Sequence, residues 1–169
     1  MAIILIGFAS SGKSATGDAV SQATGMKHVD LDRVIEDLYE RRYERRLSCR
    51  DVFKDLGICG FTELERDALH SLTGMCDTVL STGGRTPMCE DNRAFLKSLG
   101  RIVYLKCGID TILMRMKDKG YPQSMGGSAE GVRAEWKVRD PVYSEFADII
   151  IDNDEMTPNE TARVIQESI

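Results

Sequence analysis

The stretch GFASSGKS, Gly7–Ser14, sets a lysine and a hydroxyl at the end of a loop of small residues. That grouping suits phosphate. It matches G-x-x-x-x-G-K-[ST], in which glycines let backbone N–H groups wrap a polyphosphate, the lysine neutralises the outer phosphates and the hydroxyl ligates magnesium. A strand should precede such a loop and a helix should follow it, because the helix N-terminus adds its dipole to the cradle. The expected nucleotide contacts are Gly7, Ser10, Ser11, Gly12, Lys13, Ser14 and Ala15. The pattern alone does not separate a kinase from a hydrolase or a switch.

Three more groups carry chemistry. VDLDRVIED places Asp30 and Asp32 at the end of a short apolar run. Ligands of open parallel sheets bind beyond the carboxyl ends of the strands, so both acids should face the same crevice as the phosphate loop. Acids decorating a helix N-terminus would look the same. STGGRTP, residues 81–87, ends another apolar run with Gly83 and Gly84, followed by Arg85. Bare backbone there admits a ligand closely. RDPVY, residues 139–143, carries Arg139, whose spacing alone reads as a surface ion pair. His28 reads as a strand residue, and His70 as a structural or surface residue of a helix.

The elements that must position these groups alternate. AIILI (2–6) is a β-branched run suited to a buried parallel strand. Residues 13–24 suit a helix, and Gly25 suits its C-terminal cap. Strands are expected over 26–30, 77–82, 101–106 and 147–152, and helices over 33–46, 48–57, 61–72 and the C-terminal stretch begun by Pro158. Strand–helix alternation implies an α/β fold with a five-stranded parallel sheet flanked by helices on both faces. The chain reads as one domain over 1–169, with an acceptor-binding region at about 31–72. GYPQSMGGSAEG breaks the alternation, and its composition suits a mobile lid over about 120–138.

Composition sets the outer limits. With 169 residues, 42% hydrophobic content and 29% charge, the chain is an ordinary soluble domain. A net charge of −5 argues against a nucleic-acid or anionic-membrane partner, although a small basic pocket fits inside an acidic protein. No apolar run reaches membrane-span length, and the apolar start lacks the basic residues of a signal peptide. Five cysteines without CxxC spacing and only two histidines argue against zinc and disulfides. The thiols read as small core residues of a protein in the reducing cytoplasm.

Together the motifs resemble the shikimate kinase family: GFASSGKS, DLD, Phe61-T-E-L-Glu65, TGGR, the YP of the lid, RDPVY, and ID-x5-P ending at Pro158. The resemblance covers nearly the whole chain. It implies a P-loop kinase fold and in-line transfer of the ATP γ-phosphate to a small carboxylate-bearing polyol. Shikimate, giving shikimate 3-phosphate, is the first expectation; another hydroxy-acid or sugar acid is the alternative. The resemblance also implies ATP and magnesium as cofactors. Ser14 and Asp30 would serve the metal, Asp32 would orient and deprotonate the acceptor hydroxyl, and Lys13 would neutralise charge. Gly83, Gly84 and Arg139 would contact the acceptor, and Arg115 and Pro158 the adenine. A monomer or weak dimer suffices for such a site.

Three positions depart from the family. Thr62 stands where an acceptor-clamping arginine is usual, Arg85 where a third glycine is usual, and Tyr121 where a lid arginine is usual. One guanidinium is lost at 62 and one gained at 85, so Arg85 is expected to take over the carboxylate clamp with Arg139. The other reading turns Arg85 to solvent or to Glu65. Arg133 and Lys137 are the candidates to replace the lid cation, or else are solvated helix charges. Without a lid cation, a nucleotide-binding regulatory protein with little turnover is the rival class. Trp136 is expected to anchor the lid helix.

Overall fold

In the computed structural model, which describes residues 1–169, β1 (Ala2–Ile6) is buried along its whole length. Strand side chains alternate between faces, so each face of this apolar run needs its own cover. Ile4 and Ile6 pack with Leu31, Leu64, Ile102 and Tyr143. Ile3 and Leu5 pack on the opposite face with Val20, Val79 and Ile165.

Around β1 stand β2 (Lys27–Asp30), β3 (Thr78–Ser81), β4 (Gly100–Lys106) and β5 (Ile149–Asp152). The order is β2-β3-β1-β4-β5, and every pairing is parallel. Residues of α1 (Lys13–Thr24) and α7 (Pro158–Ser168) join the Ile3 face. The Ile4 face is covered by α2 (Leu31–Tyr43), α3 (Cys49–His70), α4 (Glu90–Leu99), α5 (Ile109–Met116) and α6 (Ala129–Phe146). The expected α/β sheet with two helical layers is therefore the observed one. No helix is long and apolar enough to cross a membrane.

Several boundaries move for local reasons. α2 begins at Leu31 rather than 33, because Asp30 is its cap and accepts the Asp32 N–H. It ends before Glu44, whose φ of 55° is left-handed. The two helices expected over 48–57 and 61–72 form one segment, α3, bent where Gly57 takes φ 65°. β5 starts only at Ile149; the preceding Asp148 uses Oδ2 to accept the Ile102 N–H at 2.8 Å. Only Cys107 is buried; Cys49 and Cys89 are half-buried, and Cys59 and Cys76 are exposed. Cys49 packs against the core from its edge, and the expectation of core thiols fails for Cys59 and Cys76, which follow the α3 bend and precede β3, where side chains reach solvent.

The segment expected to form a lid begins at Gly120, with φ 74°. A short 3-10 turn (Gln123–Met125) follows, then Gly126 and Gly127 with φ 76° and 63°. Ser128 caps α6 by accepting the Gly131 N–H at 3.1 Å. The second half of the segment is therefore regular helix.

Candidate functional site

The loop between β1 and α1 is held by backbone geometry that side chains would spoil. Gly7 has φ 151°, and a Cβ there would sit 2.8 Å from the Leu105 carbonyl oxygen. Gly12, at φ 96°, begins α1 with no side-chain cap, which leaves the first N–H groups of the helix open. Ser10 adopts φ 64° without being glycine. Lys13 curls over the loop, its Nζ donating to the Gly7 and Phe8 carbonyls at 2.9 Å each. Desolvation outweighs its carboxylate neighbours and lowers its pKa to about 8. Buried Ser11 leaves its Oγ without a partner. Its carbonyl accepts from Asn153 Nδ2 at 2.7 Å, so β5 braces the loop from behind.

Arg115 reaches the same loop. Its guanidinium donates to the carbonyls of Ser10 (3.3 Å), Asn153 (2.9 Å) and Asp154 (3.0 Å) and to Cys107 Sγ (3.3 Å). Pro158 is exposed in the first turn of α7 and lines neither cavity described here. The capping box of Thr157 and Glu160 fixes that turn.

Ser14 Oγ donates to Asp30 Oδ2 at 2.6 Å, while Asp30 Oδ1 accepts the Asp32 N–H at 3.0 Å. A hydroxyl and a carboxylate are oxygen donors suited to magnesium, which keeps waters and substrate phosphates as its other ligands. Asp32 stays open to the cleft, yet its carboxyl is raised above the usual range, first by desolvation, then by Asp30.

A cavity of about 210 Å3 lies against Asp32, Glu65, Arg85, Arg139, Phe53 and Phe61, with the turn 122–125 over it. Arg139 is 1% exposed. Its Nε and Nη2 donate to Glu135, its plane lies 5.3 Å over Phe8, and its Nη1 has no partner. A Cβ at Gly84 would stand 3.6 Å from that Nη1, so the glycine keeps the approach clear. Arg139 is thus a buried group rather than a surface ion pair. Arg85 Nη1 lies 3.8 Å from the same Glu135 Oε2. Arg85 therefore makes its ion pair with Glu135, which it shares with Arg139, and not with Glu65, at the partly exposed edge of the cavity. Glu65 is buried, accepts from Thr86 Oγ1 at 2.7 Å, and is pushed by desolvation to about 7.

A second, more polar cavity of about 620 Å3 lies along the phosphate loop and is lined by Ser10, Gly12, Lys13, Ser14, Ala15, Asp30, Arg115 and Lys119. Ala9, Asp32, Gly83 and Gly84 belong to both cavities.

Some expected groups stay out. Thr62 is exposed, donates to Ile58 O at 2.8 Å and lines neither cavity, so it does not border the acceptor pocket as expected. Tyr121 packs against the core. Arg133 pairs with Asp110 at 3.1 Å, and Lys137 is exposed outside both cavities. Trp136 does anchor α6, donating Nε1–H to the Cys107 carbonyl at 3.1 Å. Other groups went unassigned in the sequence: Glu65, Cys49, Arg50, Lys54 and Lys119 all line one of the cavities. Arg50 and Lys54 are four residues apart at the start of α3, a spacing that reads as an ordinary solvated helix face.

The shikimate kinase family model matches residues 9–169. A shikimate kinase of Actinobacillus pleuropneumoniae serotype 5b is 36% identical over 99% of this chain and 94% of its own length. One from a Sulfurihydrogenibium species is 30% identical over 96% of this chain and 94% of its own. Among solved structures, the shikimate kinase of Acinetobacter baumannii in complex with shikimate superposes with a TM-score of 0.85 at 29% identity, covering 99% of this chain and 91% of that one.

Proposed function

The chain belongs to the shikimate kinase family, and we propose that it transfers the γ-phosphate of ATP to a hydroxyl of shikimate. The observation that carries this reading is the shared wall: Asp32, Ala9, Gly83 and Gly84 line both the phosphate cavity and the smaller cavity with the guanidinium groups. A donor in one and an acceptor in the other meet at Asp32.

The roles follow from the chemistry of each group. Backbone N–H groups of Gly7–Ala15 cradle the phosphates, and Lys13 neutralises the outer ones. Arg115, fixed by four acceptors beside the loop, lies on the nucleotide side. Ser14 and Asp30 would hold magnesium, which when bound would supply charge neutralisation at the outer phosphates. Asp32 orients the hydroxyl and accepts its proton; desolvation raises its basicity for that task. Arg139, with one uncommitted Nη1, and Arg85 hold the acceptor carboxylate. Positioning and electrostatics then supply most of the rate. The site is complete within one chain, so a monomer or weak dimer suffices, and the five free thiols suit the cytoplasm.

The test is ADP release with ATP and magnesium, with and without shikimate, followed by related hydroxy-acids. Shikimate-dependent release supports the proposal. Release with another acid alone moves the assignment to that acceptor. Tight ATP binding without release for any acceptor overturns the kinase reading in favour of a nucleotide-binding regulator.

A further inference from the structure

Transfer of a phosphoryl group spreads negative charge over its equatorial oxygens, and mobile cations on the lid side commonly meet that charge. The phosphate cavity holds three cations: Lys13, Arg115 and Lys119. Lys13 approaches from the loop side and rests on two loop carbonyls. Arg115 is tied by both Nη atoms to carbonyls and a thiol. Lys119 differs from both. Its backbone N–H closes the turn after α5 on Met116 O at 3.0 Å, but its side chain makes no hydrogen bond and no ion pair. The next residue, Gly120, has φ 74° and open space where a Cβ would stand, so Lys119 sits at the root of the 120–128 segment.

The other cations near that segment are elsewhere. Arg133 faces Asp110, Lys137 lies outside both cavities, and position 121, where the family carries an arginine, holds a tyrosine packed on the core. Asp30 and Asp32 line the same cavity.

We infer that Lys119 is the catalytic lid cation, contacting the γ-phosphate in place of the arginine missing at position 121. The inference rests on the kinase reading above. It assigns to a flexible point charge the task usually given to a planar fork, which fits a group that must follow a moving phosphoryl.

Lys119→Gln, Lys119→Arg and, as a control on the same turn, Lys117→Gln are compared with the wild type. Calorimetry measures binding of the ATP analogue AMP-PNP and of ADP, each with magnesium, and steady-state kinetics measures turnover with shikimate. Lys119→Gln is expected to weaken AMP-PNP at least about fivefold while leaving ADP within about twofold, or to lower kcat at least about tenfold with shikimate KM nearly unchanged. Lys119→Arg should recover most of the loss, and Lys117→Gln should match the wild type. If Lys119→Gln keeps both the AMP-PNP/ADP ratio and kcat within about twofold, or if Lys117→Gln loses as much, the inference is wrong. A wild-type chain inactive toward shikimate would instead sink the acceptor assignment, and the AMP-PNP/ADP ratio would still decide Lys119.

Discussion

Glu65→Gln should stabilise this protein, and only above mildly acidic pH. The carboxyl is 4% exposed, and burial lifts its pKa from 4.5 to about 7 despite the Thr86 hydrogen bond and the pull of Arg85 and Arg139. A raised acid pKa means that the folded chain holds a proton the unfolded chain has released. Stability therefore falls as pH rises from about 4.5 to about 7, and the loss is complete above that window. At about 1.4 kcal/mol for each tenfold change in proton affinity, the loss is about 3 kcal/mol. Glutamine keeps an oxygen that can accept from Thr86 and carries no charge to desolvate. The variant should thus exceed the wild type by about 3 kcal/mol at pH 8 and be nearly equal to it at pH 5.

For a chain of this length, 1 kcal/mol moves Tm by roughly 2–4 °C, so the gap at pH 8 should be on the order of 10 °C. Urea unfolding at pH 5 and pH 8, at one ionic strength, measures it directly. Asp32 is also raised, and it titrates in both proteins, so most of its contribution cancels in the difference. An equal gap at the two pH values, or a destabilised variant at pH 8, would refute the reasoning: Glu65 would then be ionised at little cost in the folded state.

Arg139→Ala should raise shikimate KM by about a hundredfold, because it removes a buried guanidinium and leaves Glu135 with a weaker partner, while Arg85→Ala should raise it about tenfold; initial-rate kinetics tests the order, and an unchanged KM for Arg85→Ala would remove Arg85 from the clamp. Nucleotide affinity should weaken about tenfold between pH 7 and pH 9, since Lys13 loses its proton through about 8 in the free protein, and calorimetry should detect proton uptake on binding in that range. Asp32→Asn should lower kcat about a hundredfold or more with ADP affinity little changed, as expected for a group that handles the acceptor proton rather than the nucleotide.

The sheet and the phosphate loop were legible because their signals are local. AIILI can be buried on both faces only in a covered parallel sheet, and GFASSGKS needs only a strand before it and a helix after it. The errors were also local. Asp30 was read as the last strand residue, and its second role as the α2 cap moved the helix start by two positions. Gly57 was read as a helix end, and in the fold it only bends α3. Side-chain direction at the TGGR turn could not be read from spacing. Glu135 lies 50 positions away in sequence and becomes the shared partner of Arg85 and Arg139 only when α6 packs beside the turn. Thr62 shows the converse: its helical register points it to solvent, so a change of residue type there removed a long side chain without leaving a short one in the cavity. Lys119 carried no signal at all, since a lysine after a helix is ordinary until the fold sets it on the cavity along the Gly7–Ser14 loop.

The charge balance of the smaller cavity suits an anion even though the protein is acidic overall. Two guanidinium groups, Arg85 and Arg139, stand beside one carboxylate, Glu135, whose Oε2 accepts from Arg139 and lies 3.8 Å from Arg85 Nη1. The second nearby acid, Glu65, titrates only at about 7, so below that pH it adds little negative charge. The surplus is therefore positive, and it is concentrated at Arg139 Nη1, a buried donor with no protein partner beside a glycine that leaves room for a ligand. Leaving such a donor unpaired is costly, and a planar carboxylate relieves the cost more fully than a hydroxyl does. Asp32 lines the same cavity with a raised pKa, and the proposed acceptor, an acid at one end and an alcohol at the other, would meet both groups at once. Neither a simple polyol nor a dicarboxylate would do so: the first leaves Arg139 unpaired, and the second sets a charge against Asp32.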